Sequence, residues 1–235
     1  MGGKSQTQPI KVTAILKDGR INSADGVIML DSILYHAWYK IHAPHVLEGE
    51  YRSEEIGHVG LPLRRLPGNR YAASRAVFQE IGKTVEYYNK RPNFLQPERL
   101  DYLDMEKGLI SESVGLYRAY RMPQVIRTVR DGRLEFWAVG NPEKVTRYLQ
   151  EIPTIGKKGA MGYGIVRKWE VEPCDEDFSL WHPDYGLMRP VEVGSTEEKE
   201  LDLSPYPILQ YGIRPPYWKE VNFRCCYVPI VERVV

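Results

Sequence analysis

The chemistry of this chain concentrates in one ten-residue stretch, Ile155-Gly156-Lys157-Lys158-Gly159-Ala160-Met161-Gly162-Tyr163-Gly164, with four glycines and two adjacent lysines. Glycine admits positive φ and removes side-chain bulk. Backbone N–H groups in such a bend can therefore converge on an anion such as phosphate, with the lysines adding charge at the rim. It is not a Walker loop, because no Gly-Lys-Ser/Thr tail leads into a helix. Nor is it a dinucleotide fingerprint, since it precedes a strand instead of joining strand to helix. A ligand-free helix-to-strand connection has the same composition, and the residues alone leave both readings open.

A second feature is the distribution of charge. The chain carries 32 Lys plus Arg against 31 Asp plus Glu, a net charge of +1. Residues 64–91 nevertheless hold seven cations against two anions, and 115–133 hold five against one. Segment 170–202 compensates with eleven acids against Arg189 and Lys199. Tyr71, Tyr87, Tyr88, Tyr117 and Tyr120 are interleaved with the basic residues. Arginine among aromatics suits single-stranded RNA, whose phosphates need cations and whose open bases need flat partners. A solvated strand face has the same pattern, so charge by itself does not decide.

Candidates for catalysis are fewer. His36, His42, His45 and His58 are the available acid–base groups in the first third of the chain. His36 sits between core-type positions of a helix and reads as structural. His42 and His45 straddle Pro44 and lack the i, i+4 geometry of a zinc pair. Asp101 and Asp104 could pair, but nothing marks them beyond surface carboxylates. No nucleophile-elbow motif occurs. Cys174, Cys225 and Cys226 include no CxxC, and neighbours on a strand face opposite ways, so neither a disulfide framework nor a zinc site is expected. Buried, reduced thiols are expected instead.

These groups need a scaffold, and 235 residues with 43% hydrophobic content supply one large domain or two small ones. An aromatic share of 11% excludes disorder as the main state. No stretch reaches 18 apolar residues, so no membrane span is expected. The opening MGGKSQTQPI lacks a signal-peptide core, and Gln6 departs from the myristoylation pattern. A soluble cytoplasmic protein is the expectation. Alternation predicts a strand over 10–16 and a turn at Asp18-Gly19. Leu30, Ile33, Leu34, Ala37, Trp38 and Ile41 recur at helical steps, and Pro44 stops that helix. Residues 45–70 read as a loop with a short strand, and 71–89 as a hairpin turning near 81–83. Residues 92–112 read as irregular or briefly helical, followed by strands interrupted at Pro123 and a turn at Asp131-Gly132. Asn141-Pro142 caps a second helix that ends before Pro153. Strands close the pattern over 165–171 and near 221–231. Strand, helix, strands, helix, strand is the order of an α+β, ferredoxin-like domain with inserted hairpins. The expected organisation is a flexible 1–9, a domain over 10–172, and a C-terminal extension over 173–235 packed on it.

Several segments carry a family resemblance. IGKKGAMGYGIV is similar, in spacing and placement, to the glycine-rich loop of CRISPR-associated RAMP proteins. LDSILYHAWYK, YAASRAVFQE with VEYYNKRPN, and the late MRPVEV and YGIRPPYW resemble the capping subunit of type IV effector complexes, a Csf-three-like, Cas-five-type protein. Together they run from about residue 10 to 229. The resemblance implies a non-catalytic subunit that holds the 5′ handle of a CRISPR RNA (crRNA) and caps a filament of Cas-seven-like backbone subunits, beside a large subunit. Target DNA is a further contact it allows; no cofactor, metal or membrane is implied. Gly156, Lys157, Lys158, Gly159, Gly162 and Gly164 would cradle handle phosphates. Ser74, Arg75, Tyr88, Lys90 and Arg91 are weaker candidates. Arg118, Arg121 and Arg127 would line the same track or face the backbone subunit. Some relatives process repeat RNA with histidine, so a metal-independent endoribonuclease is one alternative. A protein-bridging subunit that never touches RNA is the other.

Overall fold

In the computed structural model, residues 6–48, 56–90, 103–104, 109–110 and 120–231 are described. The main elements in chain order are β1 (Gln8–Leu16), β2 (Arg20–Asn22), α1 (Leu30–His42), β3 (Glu80–Lys90), β4 (Tyr120–Val129), β5 (Arg133–Gly140), α2 (Pro142–Gln150), β6 (Val166–Pro173), β7 (Val191–Glu192), β8 (Ile208–Gly212) and β9 (Phe223–Tyr227). The class is α+β, with several small antiparallel sheets and few helices.

β1 is the centre of the molecule because both of its edges are paired, with β6 on one side and β5 on the other, all antiparallel. Its alternation has a direct packing meaning. Ile10, Val12, Ala14 and Leu16 join Leu30, Ile33, Leu34 and Ala37 of α1 and Val145 and Leu149 of α2 in one buried cluster. Lys11 points the other way, pairing with Glu135 at 2.6 Å beneath the Trp137 ring. The expected 1–9 lead is corrected in part, since Gln8 and Pro9 already belong to β1, opposite Gly140 and Val139.

α2 forms as its sequence dictates. The Asn141 side chain accepts from the Lys144 amide at 3.0 Å, Pro142 occupies the first turn, and Val145 and Leu149 face the core. α1 has no side-chain cap. Asp31 is buried in its first turn.

The expected 71–89 hairpin is not formed. Residues 72–77 run beside β5 instead, with bridges from Ala73 to Ala138 and from Val77 to Glu135. β3 begins ahead of the expected turn, so Gly82 sits at a bulge within the strand and its partner is β4. Two short apolar stretches flanking a glycine look like one hairpin, although burial of Ala73 and Ala76 against the main core wins. β4 also runs through Pro123, where an interruption was expected. Val125 accepts from the Ser23 amide at 3.1 Å, so odd-numbered backbone groups of β4 face β2. Pro123 therefore turns its missing donor to that side, beyond the end of β2 and where no ladder needs it. Of 92–112, only two short paired strands, 103–104 and 109–110, lie among the described residues.

The C-terminal third carries its own sheet, β7-β9-β8, around Leu187, Val191, Leu203, Ile213 and Cys226. It is tied to the rest by polar contacts. The Arg75 amide donates to the Met188 carbonyl at 2.6 Å, and Arg214 donates to the Gly68 carbonyl at 2.6 Å. Cys225 is exposed, against expectation, while Cys226 is buried on the opposite face with its thiol pushed up to about 12 by burial. No helix among the described residues is long and apolar enough to cross a membrane.

Candidate nucleic-acid interface

The glycine loop follows α2 and is closed at its neck by the Ile155 amide donating to the Gly164 carbonyl at 2.9 Å. It lies against β2. The Lys157 amide donates to the Asn22 carbonyl at 3.0 Å and the Gly164 amide to the Arg20 carbonyl at 2.7 Å. The Met161 and Gly162 amides donate back to Lys158 and Gly159, each at 2.9 Å. Five amides of the stretch, those of Ile155, Lys157, Met161, Gly162 and Gly164, are thus bonded within the protein and are not free to meet an anion. The glycines have a packing reason. A Cβ on Gly164 would stand 1.9 Å from the Ile155 oxygen, and one on Gly156 would stand 2.7 Å from the Asn22 oxygen. Gly159 abuts Thr154 in the same manner, whereas Gly162 faces open space.

What the loop offers outward is side chains. Lys157 is exposed. Lys158, held at φ +62°, places its ammonium 4.2 Å from the centroid of the Tyr88 ring on β3. Tyr163 is buried beneath them, its hydroxyl donating to Glu86 of the same strand, which raises its pKa. Arg20 lies over the Tyr163 ring at 5.5 Å. Loop, β2 and β3 therefore meet through Lys158 on Tyr88 and through Tyr163 between Arg20 and Glu86, with Lys157 exposed as the next residue of the loop. Arg20 was not singled out in the sequence, for its Asp-Gly-Arg setting reads only as a turn.

The remaining sequence candidates separate. Arg121 is exposed, with its guanidinium 3.8 Å from the Tyr87 ring centroid. Tyr87 and Tyr88 are strand neighbours and point to opposite faces, so Arg121 does not share the Lys158 surface. Lys90 lies in β3 opposite Tyr120. Arg91 and Arg118 lie outside the described residues.

Three candidates are interior. Ser74 is fully buried; its hydroxyl donates to the Arg75 carbonyl and accepts from the Trp137 amide, both at 2.8 Å. Arg75 is buried and donates to the carbonyls of Leu187, Ala76 and Tyr185. Arg127 is buried against Glu80 and donates to the Ser23 and Ala24 carbonyls, each at 2.9 Å. These arginines satisfy backbone oxygens that would otherwise be buried without a partner. Sequence reasoning reads arginine as surface charge; nothing local in the sequence distinguishes a guanidinium used as internal scaffolding.

The histidines are equally scattered. His42 stacks on Trp38 with centroids 4.8 Å apart, and His58 stacks on Tyr71. His36 is exposed instead of packed in the core, and partial burial followed by Lys40 lowers its pKa. It borders a cleft of about 710 Å3 between α1, residues 22–28, the start of the glycine loop and residues 211–223. No group of His, Cys, Asp and Glu among the described residues could hold a metal ion.

A lysine-bearing loop on an α+β scaffold, resembling the RAMP loop, fits a CRISPR-associated protein. A family model, CRISPR type IV associated protein Csf3, matches residues 8–229, and the chain belongs to that family. No curated protein matches the chain.

Proposed function

We propose that this chain is a non-catalytic RNA-binding subunit that holds the 5′ handle of a guide RNA and caps the backbone filament of a type IV effector complex. The observation that carries the reading is the Lys158 ammonium seated on Tyr88, with Lys157 exposed beside it. A cation paired with an aromatic ring, and a second exposed cation next to it in the chain, match a single strand's phosphates and bases. With five of its amides bonded within the protein, the loop acts mainly through its lysine side chains. Family membership supplies the CRISPR context. The scaffold reads as ferredoxin-like on its strand order. β6-β1-β5 continues into residues 72–77, an irregular fourth strand, and α1 and α2 share a core with β1. A Cas-seven-like backbone subunit and the large subunit are the proposed neighbours.

The test is to purify the assembled particle and map the RNA protected by this subunit by crosslinking. Adducts at the 5′ end are expected. Adducts to protein alone would replace this reading with a bridging role. A second reading, a metal-independent endoribonuclease, rests on His36 being exposed at the cleft that Lys157 also borders. Specific cleavage of repeat RNA that His36→Ala abolishes would select it.

A further inference from the structure

The 710 Å3 cleft beside the glycine loop has no role in the reading of the chain as an RNA holder. Its size lies within the roughly 300–1,000 Å3 typical of small-molecule sites. Buried polar contacts hold its walls apart. On one side Arg127, fixed by Glu80, bonds the Ser23 and Ala24 carbonyls. On the other, the Tyr217 hydroxyl donates to the Asp31 carboxylate, 3.0 Å from each oxygen. Lys219 adds a bond to the Ile56 carbonyl at 2.7 Å. Walls anchored in this way keep the space open without an occupant.

The lining has a specific chemistry. Trp218 is 56% exposed and Phe223 36%, so two flat rings are available to a ligand. Asp25 and Ser32 supply an acceptor and a hydroxyl. Lys157 stands on the rim, its amide bonded to Asn22 and its side chain exposed. Apolar walls, a stacking ring, polar groups for an edge and a cation outside suit a flat heteroaromatic ring attached to a phosphate. An aliphatic peptide would use the walls and leave Lys157 idle. The cleft is also continuous with the loop, since Gly156 and Lys157 belong to both.

Resting on the reading of the loop as an RNA holder, we infer that the cleft receives one unpaired nucleobase of the held strand, stacked on Trp218, with Lys157 at its phosphate. Base identity at that position is then read by the protein, which phosphate contacts alone cannot do. The experiment is equilibrium binding of the full chain to single-stranded RNA carrying the repeat-derived 5′ end, with an abasic site moved through it one position at a time. One position should weaken binding about tenfold, the scale of one base–aromatic stack. Trp218→Ala should erase that difference, and 2-aminopurine placed there should be quenched only when Trp218 is present. Tight binding with a flat abasic scan overturns the base site and leaves the loop reading standing. Failure of folded protein to bind any of these RNAs overturns both. Shielding of Trp218 by a protein partner in an RNA-free particle assigns the cleft to that partner and also overturns the base site.

Discussion

The ammonium of Lys158 rests 4.2 Å above the ring of Tyr88, and this contact joins the glycine loop to a strand 70 residues earlier in the chain. Below it, Tyr163 of the loop donates to Glu86 of the same strand. The loop is therefore a braced platform whose Lys158 is positioned by β3. Each consequence can be measured.

Replacing both lysines, Lys157→Ala with Lys158→Ala, should weaken RNA binding and flatten its salt dependence. For single strands the slope of log affinity against log salt falls by about 0.7 per phosphate contact removed. Binding isotherms at several salt concentrations check this, and an unchanged slope would remove the loop lysines from the interface.

Gly164→Ala should be far more damaging than Gly162→Ala. Both residues have positive φ, but only at 164 would the new Cβ stand 1.9 Å from a backbone oxygen. The strain at 162 alone should cost about 1–2 kcal/mol. At 164 the backbone must move as well, releasing the loop from β2. Thermal unfolding of the two variants gives the ranking.

Arg127→Ala should destabilise the fold by about 3–5 kcal/mol, because Glu80 is left charged, buried and unpaired. The Ser23 and Ala24 carbonyls lose their donors at the same time. Arg121→Ala, on an exposed side chain, should change stability by under about 0.5 kcal/mol. Denaturant titration of both variants separates a scaffold arginine from a surface one.

Asp31 gives a pH signature. Burial lifts its pKa from 3.8 to about 7, against the lowering effect of the Tyr217 hydrogen bond, the Ser32 amide and the Arg189 charge. Above pH 3.8 the unfolded chain releases this proton while the folded chain retains it until about pH 7. Stability from this site is therefore full under acid conditions and declines as pH rises through that window. Asp31→Asn should flatten the decline in melting temperature between pH 4 and 7, measured against the parent chain.

Local signals in the sequence located β1, both helices, the Asn141 cap of α2 and the two Asp-Gly turns, because periodicity and capping act over a few residues. The pairing of β3 was not legible, since it depends on which of two apolar stretches reaches the main sheet first. Ala73 and Ala76 give no periodic signal, yet their small side chains let 72–77 lie close to β5. The site was legible as a loop with its two lysines and as Tyr88, and illegible in orientation. Arg75 and Arg127 resemble Arg121 in sequence, and only the tertiary structure turns the first two inward onto carbonyls. The same holds for Trp218, which is exposed beside a Tyr217 bonded to Asp31.

Pro123 has a consequence of its own. Among the described residues no strand pairs with β4 beyond β2, and a row of free donors on such a margin would invite another chain to zip on. A proline facing that margin deletes one donor, so a stray strand meets a gap in the ladder. In a chain proposed to cap a filament, that gap would discourage fibrous self-association through this margin.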